Sequence, residues 1–102
     1  MNTTLIGEMV ETAMDAKGKK FDVDNYFAVR GRLWDPKTQD HTIEISAEIG
    51  LRRFRDLSDA MPCYDRLRHA DFPGGANADI NLELIHFRFG IPHVLKSRIL
   101  FP

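Results

Sequence analysis

Residues 26 to 34 read Tyr-Phe-Ala-Val-Arg-Gly-Arg-Leu-Trp, and residues 42 to 49 read Thr-Ile-Glu-Ile-Ser-Ala-Glu-Ile. In each stretch one set of alternate positions is apolar or glycine, and the other set carries the charged residues. A period of two is typical of a β-strand with one buried face. The residues at 35 to 40, Asp-Pro-Lys-Thr-Gln-Asp, have the composition of a turn. The two stretches therefore predict a β-hairpin.

The same alternation predicts which residues of the two strands lie opposite each other and which side chains are buried. Keeping the apolar residues on one face places Glu44 opposite Arg30 or Arg32, an opposite-charge pair of the kind that stabilises neighbouring strands. The side chains expected to be buried are those of Phe27, Val29, Leu33, Ile43, Ile45 and Ile49. The side chains expected to be exposed on the other face are those of Arg30, Arg32, Glu44 and Glu48.

On the N-terminal side of the hairpin, the apolar residues recur with the period of a helix. They fall at i, i+1, i+4, i+5, i+8 and i+9, and Lys17-Gly18 has the composition of a helix end. The pattern predicts a helix over residues 4–17, with its apolar face formed by Leu5, Ile6, Met9, Val10, Ala13 and Met14.

The C-terminal half combines a short helix with two more strands. Leu51, Phe54, Leu57 and Met61 have helical spacing, and Pro62 is expected to end that helix. After a loop at 72–77, a third strand begins at Ile80. The apolar residues change face over 85–89, which indicates a bulge or a strand buried on both sides.

The last segment, 94–101, is interpreted as a fourth strand in preference to a closing helix. The whole chain is then predicted to form a single α+β domain over residues 1–102. Its antiparallel sheet has about four strands in two hairpins, and an N-terminal helix and a short central helix pack on one face.

Composition limits the possible classes of protein. The 102 residues carry a formal net charge of −1, 43% are hydrophobic, and there is one cysteine, Cys63. These values are ordinary for a globular domain and exclude an internal disulfide. The N-terminus lacks a basic region followed by an uninterrupted apolar run, and no apolar run approaches the length of a membrane span. We expect a cytoplasmic protein with no membrane association.

No catalytic residue, metal site or cofactor is predicted. No phosphate loop, dinucleotide fingerprint or nucleophile elbow occurs in the sequence. The four histidines lack metal-ligand spacing, although His86 and His93 flank the Gly90–Pro92 turn and can approach each other across a hairpin. Cys63 is interpreted as a small packing residue.

A group of arginines is the one pattern that suggests a ligand. Arginine binds phosphate through its planar fork, so the group is a candidate site for an anion or a nucleic acid. Interleaved Asp56, Asp59 and Asp65 support instead a mixed, salt-bridged surface. The candidate residues are Arg52, Arg53, Arg55, Arg66 and Arg68.

The C-terminal segment is unusually rich in large apolar residues, more than one sheet face needs. Part of this surface is therefore a candidate interface with another protein or with a second copy of the chain. The candidate interface residues are Phe87, Phe89, Ile91, Val94, Ile99, Leu100 and Phe101.

From these patterns we predict a small non-enzymatic domain that binds another protein and acts as a regulator or inhibitor. A homodimer is the candidate assembly. Small domains of this kind include proteins encoded by phages and mobile elements. One alternative is a nucleic-acid or phosphorylated-ligand binder that uses the arginines. A second is a small enzyme whose pocket forms between subunits.

Overall fold

The computed structural model describes residues 12–45, 51–72 and 77–102, and within them the chain forms a seven-stranded antiparallel sheet, one α-helix and a short 3₁₀ turn. The elements, in chain order, are β1 (Thr12–Met14), β2 (Lys20–Asp22), β3 (Asn25–Asp35), β4 (Asp40–Glu44), β5 (Leu51–Phe54), α1 (Leu57–Arg66), the 3₁₀ turn (His69–Asp71), β6 (Ile80–Arg88) and β7 (Ile91–Leu100).

The long strand β3 organises the sheet. One of its edges pairs with β6 over the full length of β6 from Ile80 to Arg88, and β7 continues the sheet beyond β6. Its other edge is shared, since β5 pairs with the first half of β3 and β4 with the second half. The predicted hairpin register is confirmed, because Arg32 lies opposite Glu44 and Leu33 opposite Ile43.

The helix covers one face of the sheet. Leu57, Ala60, Met61 and Tyr64 fall at i, i+3, i+4 and i+7, so they form one face of α1, and this face packs on the sheet. The buried cluster beneath it is made by Val29, Phe54, Ala60, Tyr64, Leu67, Phe72, Ile80, Leu82 and Leu84.

Position 31, on this covered face, requires glycine for a steric reason. A Cβ atom built on it would lie 2.8 Å from Cε1 of Phe72 and 3.2 Å from Cγ2 of Ile80. Real Cβ atoms do not approach other atoms so closely, so glycine lets the Phe72 ring lie directly against β3.

Strand β6 is buried on both sides. Leu82, Glu83, Leu84 and Ile85 are all buried, although neighbours along a strand point to opposite faces. The predicted change of face therefore reflects a doubly covered strand. A bulge also occurs at this point, on the partner strand β7, where the register with β6 shifts between Leu84 and Ile85.

The predicted fold is wrong in its N-terminal helix and in its number of strands, although an α+β description holds broadly. Residues 12–14 of the predicted 4–17 helix form β1, and residues 4–11 lie outside the described residues. In place of the end of a helix, the Asp15 carboxylate accepts hydrogen bonds from the backbone N–H groups of Lys17 and Lys19, which closes a turn that places β1 beside β2.

The central segment is also corrected. Leu51–Phe54 is a strand, in which Leu51 pairs with Arg30 and Phe54 with Phe27 on opposite faces. Pro62 lies inside α1 and does not end it. Its missing N–H leaves the carbonyl of Ser58 without its usual helical partner, and Ser58 is exposed, so water can satisfy that carbonyl.

Burial on the hairpin follows the prediction in part. Val29 is buried, and Phe27, Leu33 and Ile45 are half-buried, but Ile43 is 42% exposed. Its strand β4 extends past the area that α1 covers. Ile49 and Glu48 lie outside the described residues. The predicted exposure of Arg30 and Arg32 is wrong, because both are half-buried where they converge on the buried Glu83 of β6.

Candidate functional site

Six large apolar side chains are exposed together around β7 and the turn that precedes it. Phe89 is 74% exposed and Phe101 is 68% exposed. We call this group the C-terminal apolar surface, and its members are Phe89, Ile91, Val94, Leu95, Ile99 and Phe101.

The surface lies at the edge of the sheet. β7 pairs with β6 from Ile91 to Leu100, and no other strand in the described part of the chain pairs with it. An edge strand presents a row of free backbone N–H and C=O groups to which an additional strand can bind. Residues 91–97 are all exposed, so both the backbone edge and the side chains are accessible.

A β-bulge divides β7 into two parts. Leu84 pairs with Lys96 while the next residue, Ile85, pairs with Val94, so Leu95 is an extra residue on the outer strand. Pro92, which has no N–H to donate, lies before the bulge. Lys96–Leu100 is the uninterrupted part of this edge.

The turn between β6 and β7 carries conformational strain. Phe89 has a φ of 51° and Gly90 a φ of 77°. The left-handed conformation is easy for glycine but costs a bulky residue roughly 1–2 kcal/mol. Among the described residues, the most exposed large apolar side chain is therefore held in an unfavourable backbone conformation.

The predicted interface residues separate into two groups. Phe89, Ile91, Val94, Ile99 and Phe101 are exposed. Phe87 is half-buried and its ring stacks on that of Tyr26 with centroids 5.1 Å apart, and Leu100 is half-buried against the core cluster. Those two contribute to the fold of the chain itself.

Sequence analysis missed Leu95, which is 47% exposed. In an uninterrupted strand, residue 95 would share a face with residues 93 and 97. The bulge makes Leu95 an extra residue that has no register partner on β6. The only sign of the bulge in the sequence is the adjacent pair of large residues at 94 and 95.

Charge on β7 has a single sign. Residues 91–100 include His93, Lys96 and Arg98 and no aspartate or glutamate. His86 is the register partner of His93, so these two histidines do approach each other across the hairpin. Burial lowers the pKa of His86, and the positive charges of Arg88 and His93 lower it further, which indicates a basic environment at this end of the sheet.

Arg98 has a structural role that the sequence did not reveal. Its Nη2 donates to the carbonyl oxygens of Tyr64 and Leu67, each at 2.8 Å, and its guanidinium lies 4.9 Å from the centroid of the Tyr64 ring. These carbonyls belong to the C-terminal end of α1, where partners within the helix are lacking. Arg98 thus fixes the end of the helix to β7.

The predicted arginine group does not form one site. Arg53 is exposed on β5, Arg55 forms an ion pair with Asp56 at 3.0 Å, and Arg68 is exposed beside the 3₁₀ turn. Arg52 and Arg66, which belong to different elements, come together in an open pocket of about 350 Å³ that is also lined by Cys63, Leu67 and Asp71.

The thiol in this pocket has a cationic neighbour. Nη1 of Arg52 lies 4.0 Å from Sγ of Cys63. Within the described residues, neither Arg52 nor Arg66 lies within 4.0 Å of a carboxylate, so their charge is available to an anion.

The described residues contain no group of three or more histidine, cysteine, aspartate and glutamate side chains arranged to hold a metal ion. They also contain no helix that is long and apolar enough to cross a membrane. Comparisons with protein-family models, with curated proteins and with solved structures found no match.

Proposed function

We propose that this protein functions by binding another protein through its C-terminal apolar surface. The observation that carries the proposal is the exposure of six large apolar side chains on, or directly next to, one open edge strand. Protein surfaces as a rule expose such residues singly, so a concentration of them along one strand is typical of an interaction site.

The strained turn supports the same proposal. Asparagine or glycine at position 89 would fit the left-handed conformation better than phenylalanine does. A large exposed aromatic residue at this position lowers the stability of the fold, and aromatic residues are the most frequent anchors of protein interfaces. Binding offers a reason for a residue that folding does not favour.

The experiment begins with the complex that forms in the protein's native cell. The partner is identified after nuclease treatment, purified, and titrated against the wild type and against a Val94→Ser, Leu95→Ser double variant. The expected result is a loss of affinity of about tenfold or more, since central apolar residues dominate binding energy.

Exposed apolar residues elsewhere provide matched controls. Met14→Ser in β1 and Ile43→Ser in β4 remove comparable exposed apolar side chains from other parts of the sheet. They are expected to leave the affinity unchanged. The proposal fails if the controls weaken binding as much as the double variant, or if nuclease treatment dissolves the complex.

A second candidate function is anion binding by Arg52 and Arg66. It is favoured by their shared pocket and by the absence, in the described part of the chain, of a carboxylate within 4.0 Å of either guanidinium, although Asp71 also lines the pocket. A titration with inorganic phosphate, followed by NMR, tests it. Binding should be lost in Arg52→Ala and retained in Arg53→Ala, and the absence of shifts in the wild type at low salt would exclude it.

A further inference from the structure

The two sides of β7 differ in chemistry. His93 pairs with His86, and Lys96 pairs with Leu84, so both lie on the face of the sheet that α1 covers further along. Val94 pairs with Ile85 and Ile99 with Asn81, on the opposite face. Beside residues 93–99, a strand added to β7 would therefore meet basic side chains on one face and apolar side chains on the other, whereas Ile91 lies on the basic face.

A second copy of the chain does not suit this edge. When two β7 strands pair with each other, each contributes lysine, arginine and histidine and neither contributes a carboxylate. No register of β7 against β7 gives Lys96 an opposite charge, and like charges opposite each other destabilise a sheet. Charge complementarity therefore excludes pairing with the β7 strand of a second copy and points to an acidic segment.

We infer that β7 receives an extended segment of another protein in which acidic and apolar residues alternate. This inference rests on the proposed function and specifies its partner. Main-chain hydrogen bonds to Lys96–Leu100 hold the segment, because this part of the edge contains neither Pro92 nor the bulge. Along this part of the edge its acidic side chains lie beside Lys96, and its apolar side chains lie beside Ile99 on the opposite face.

The test uses synthetic peptides in place of the natural partner. One peptide alternates valine and glutamate, a second replaces each glutamate with lysine, and a third is the acidic peptide with methylated backbone nitrogens. The acidic peptide is expected to bind the wild type about two- to fivefold more tightly than the basic one, the effect of an exposed charge pair. It should shift the backbone NMR signals of residues 96–100, and the methylated peptide should not bind.

A charge reversal separates specific pairing from general attraction. In Lys96→Glu the order of the two peptides should invert, whereas Lys37→Glu, an equally exposed lysine in the turn after β3, should leave the order unchanged. High salt should reduce the preference in the wild type.

Three results would overturn the inference. The first is equal binding of the acidic and basic peptides, the second is an unchanged order in Lys96→Glu, and the third is a dimer of the protein alone that Ile99→Lys dissociates, which would identify the partner as a second copy. The proposed function fails separately, because it depends on the Val94→Ser, Leu95→Ser variant and the natural partner. Loss of peptide discrimination together with retained sensitivity of that variant would refute only the inference about the partner.

Discussion

The adjacent strands β6 and β7 have similar apolar content and opposite environments. Leu82, Leu84 and Ile85 in β6 are at most 1% exposed, whereas Val94 and Leu95 in β7 are about half exposed. β6 has paired strands on both edges and side chains covered on both faces, whereas β7 is an edge strand whose residues 91–97 are all exposed. The difference shows that the position of a strand in the sheet, more than its hydrophobicity, decides whether its side chains stabilise the fold or remain available for binding.

The strongest test of this comparison exchanges leucine for alanine in each strand. Leu84→Ala removes a fully buried side chain and should lower the free energy of unfolding by about 2–5 kcal/mol. Leu95→Ala should lower it by about 1 kcal/mol or less, because its side chain is half exposed. Urea denaturation measures both values. Equal losses in the two variants would mean that β7 is part of the core.

Arg98 is the point where β7 does support the folded core. Arg98→Ala leaves the carbonyls of Tyr64 and Leu67 without their donor and should cost about 1–3 kcal/mol. Lys96→Ala, two residues earlier in the same strand, serves as the control and should cost little. If the two variants unfold at the same urea concentration, Arg98 does not hold the helix.

Acid should lower the free energy of unfolding by protonating Asp15, which lies in the turn between β1 and β2. Burial raises the pKa of the Asp15 carboxyl, but hydrogen bonds from the backbone N–H groups of Arg55, Lys19 and Lys17 outweigh it and set the pKa below its usual value. Since the pKa is lowered by folding, the carboxylate stabilises the fold above about pH 4 and loses this effect as the pH falls through the folded-state pKa.

We therefore expect Asp15→Ala to cost about 1–2 kcal/mol near neutral pH and progressively less in acid. Asp65→Ala, which removes an exposed carboxylate, provides the control. Unfolding followed by fluorescence across the acid range measures the difference. A constant difference at all pH values would contradict a role for the charged form of Asp15.

The smallest expected change in the free energy of unfolding is an increase, whereas the other variants lower it. Phe89→Asn should raise stability by about 0.5–1 kcal/mol, because asparagine tolerates the left-handed conformation. The same variant should bind the partner less well. A shift in the thermal midpoint, compared with the titration described above, tests both statements. A variant that gains stability without losing affinity would remove Phe89 from the binding surface.

The parts of the fold that the sequence predicted correctly are those with long, uninterrupted patterns. Alternation from 26 to 34 predicted β3 and limited the partner of Glu44 to Arg30 or Arg32, of which Arg32 is observed. The strand predicted at 94–101 forms the greater part of β7. The predictions were wrong where short patterns fit two structures. Leu51 and Phe54 have helical spacing, but in a strand residues three apart lie on opposite faces, and here each packs on a different face of β3.

The candidate site was predictable in composition but not in geometry. A high density of apolar residues marked the C-terminal segment, yet nothing local distinguishes Leu100, which packs on the core, from Ile99, which does not. That difference depends on which face α1 covers, a contact between segments more than thirty residues apart. Arg52 and Arg66 likewise meet only because β5 and α1 pack together in the folded chain.

The contact of Arg98 with the Tyr64 ring links the outer strand to the interior of the protein. A segment that binds along Lys96–Leu100 would restrain the backbone from which Arg98 reaches the helix, and the guanidinium lies 4.9 Å from the centre of the tyrosine ring. Binding at β7 is therefore expected to change the environment of Tyr64, and the NMR signals of the Tyr64 ring test this expectation.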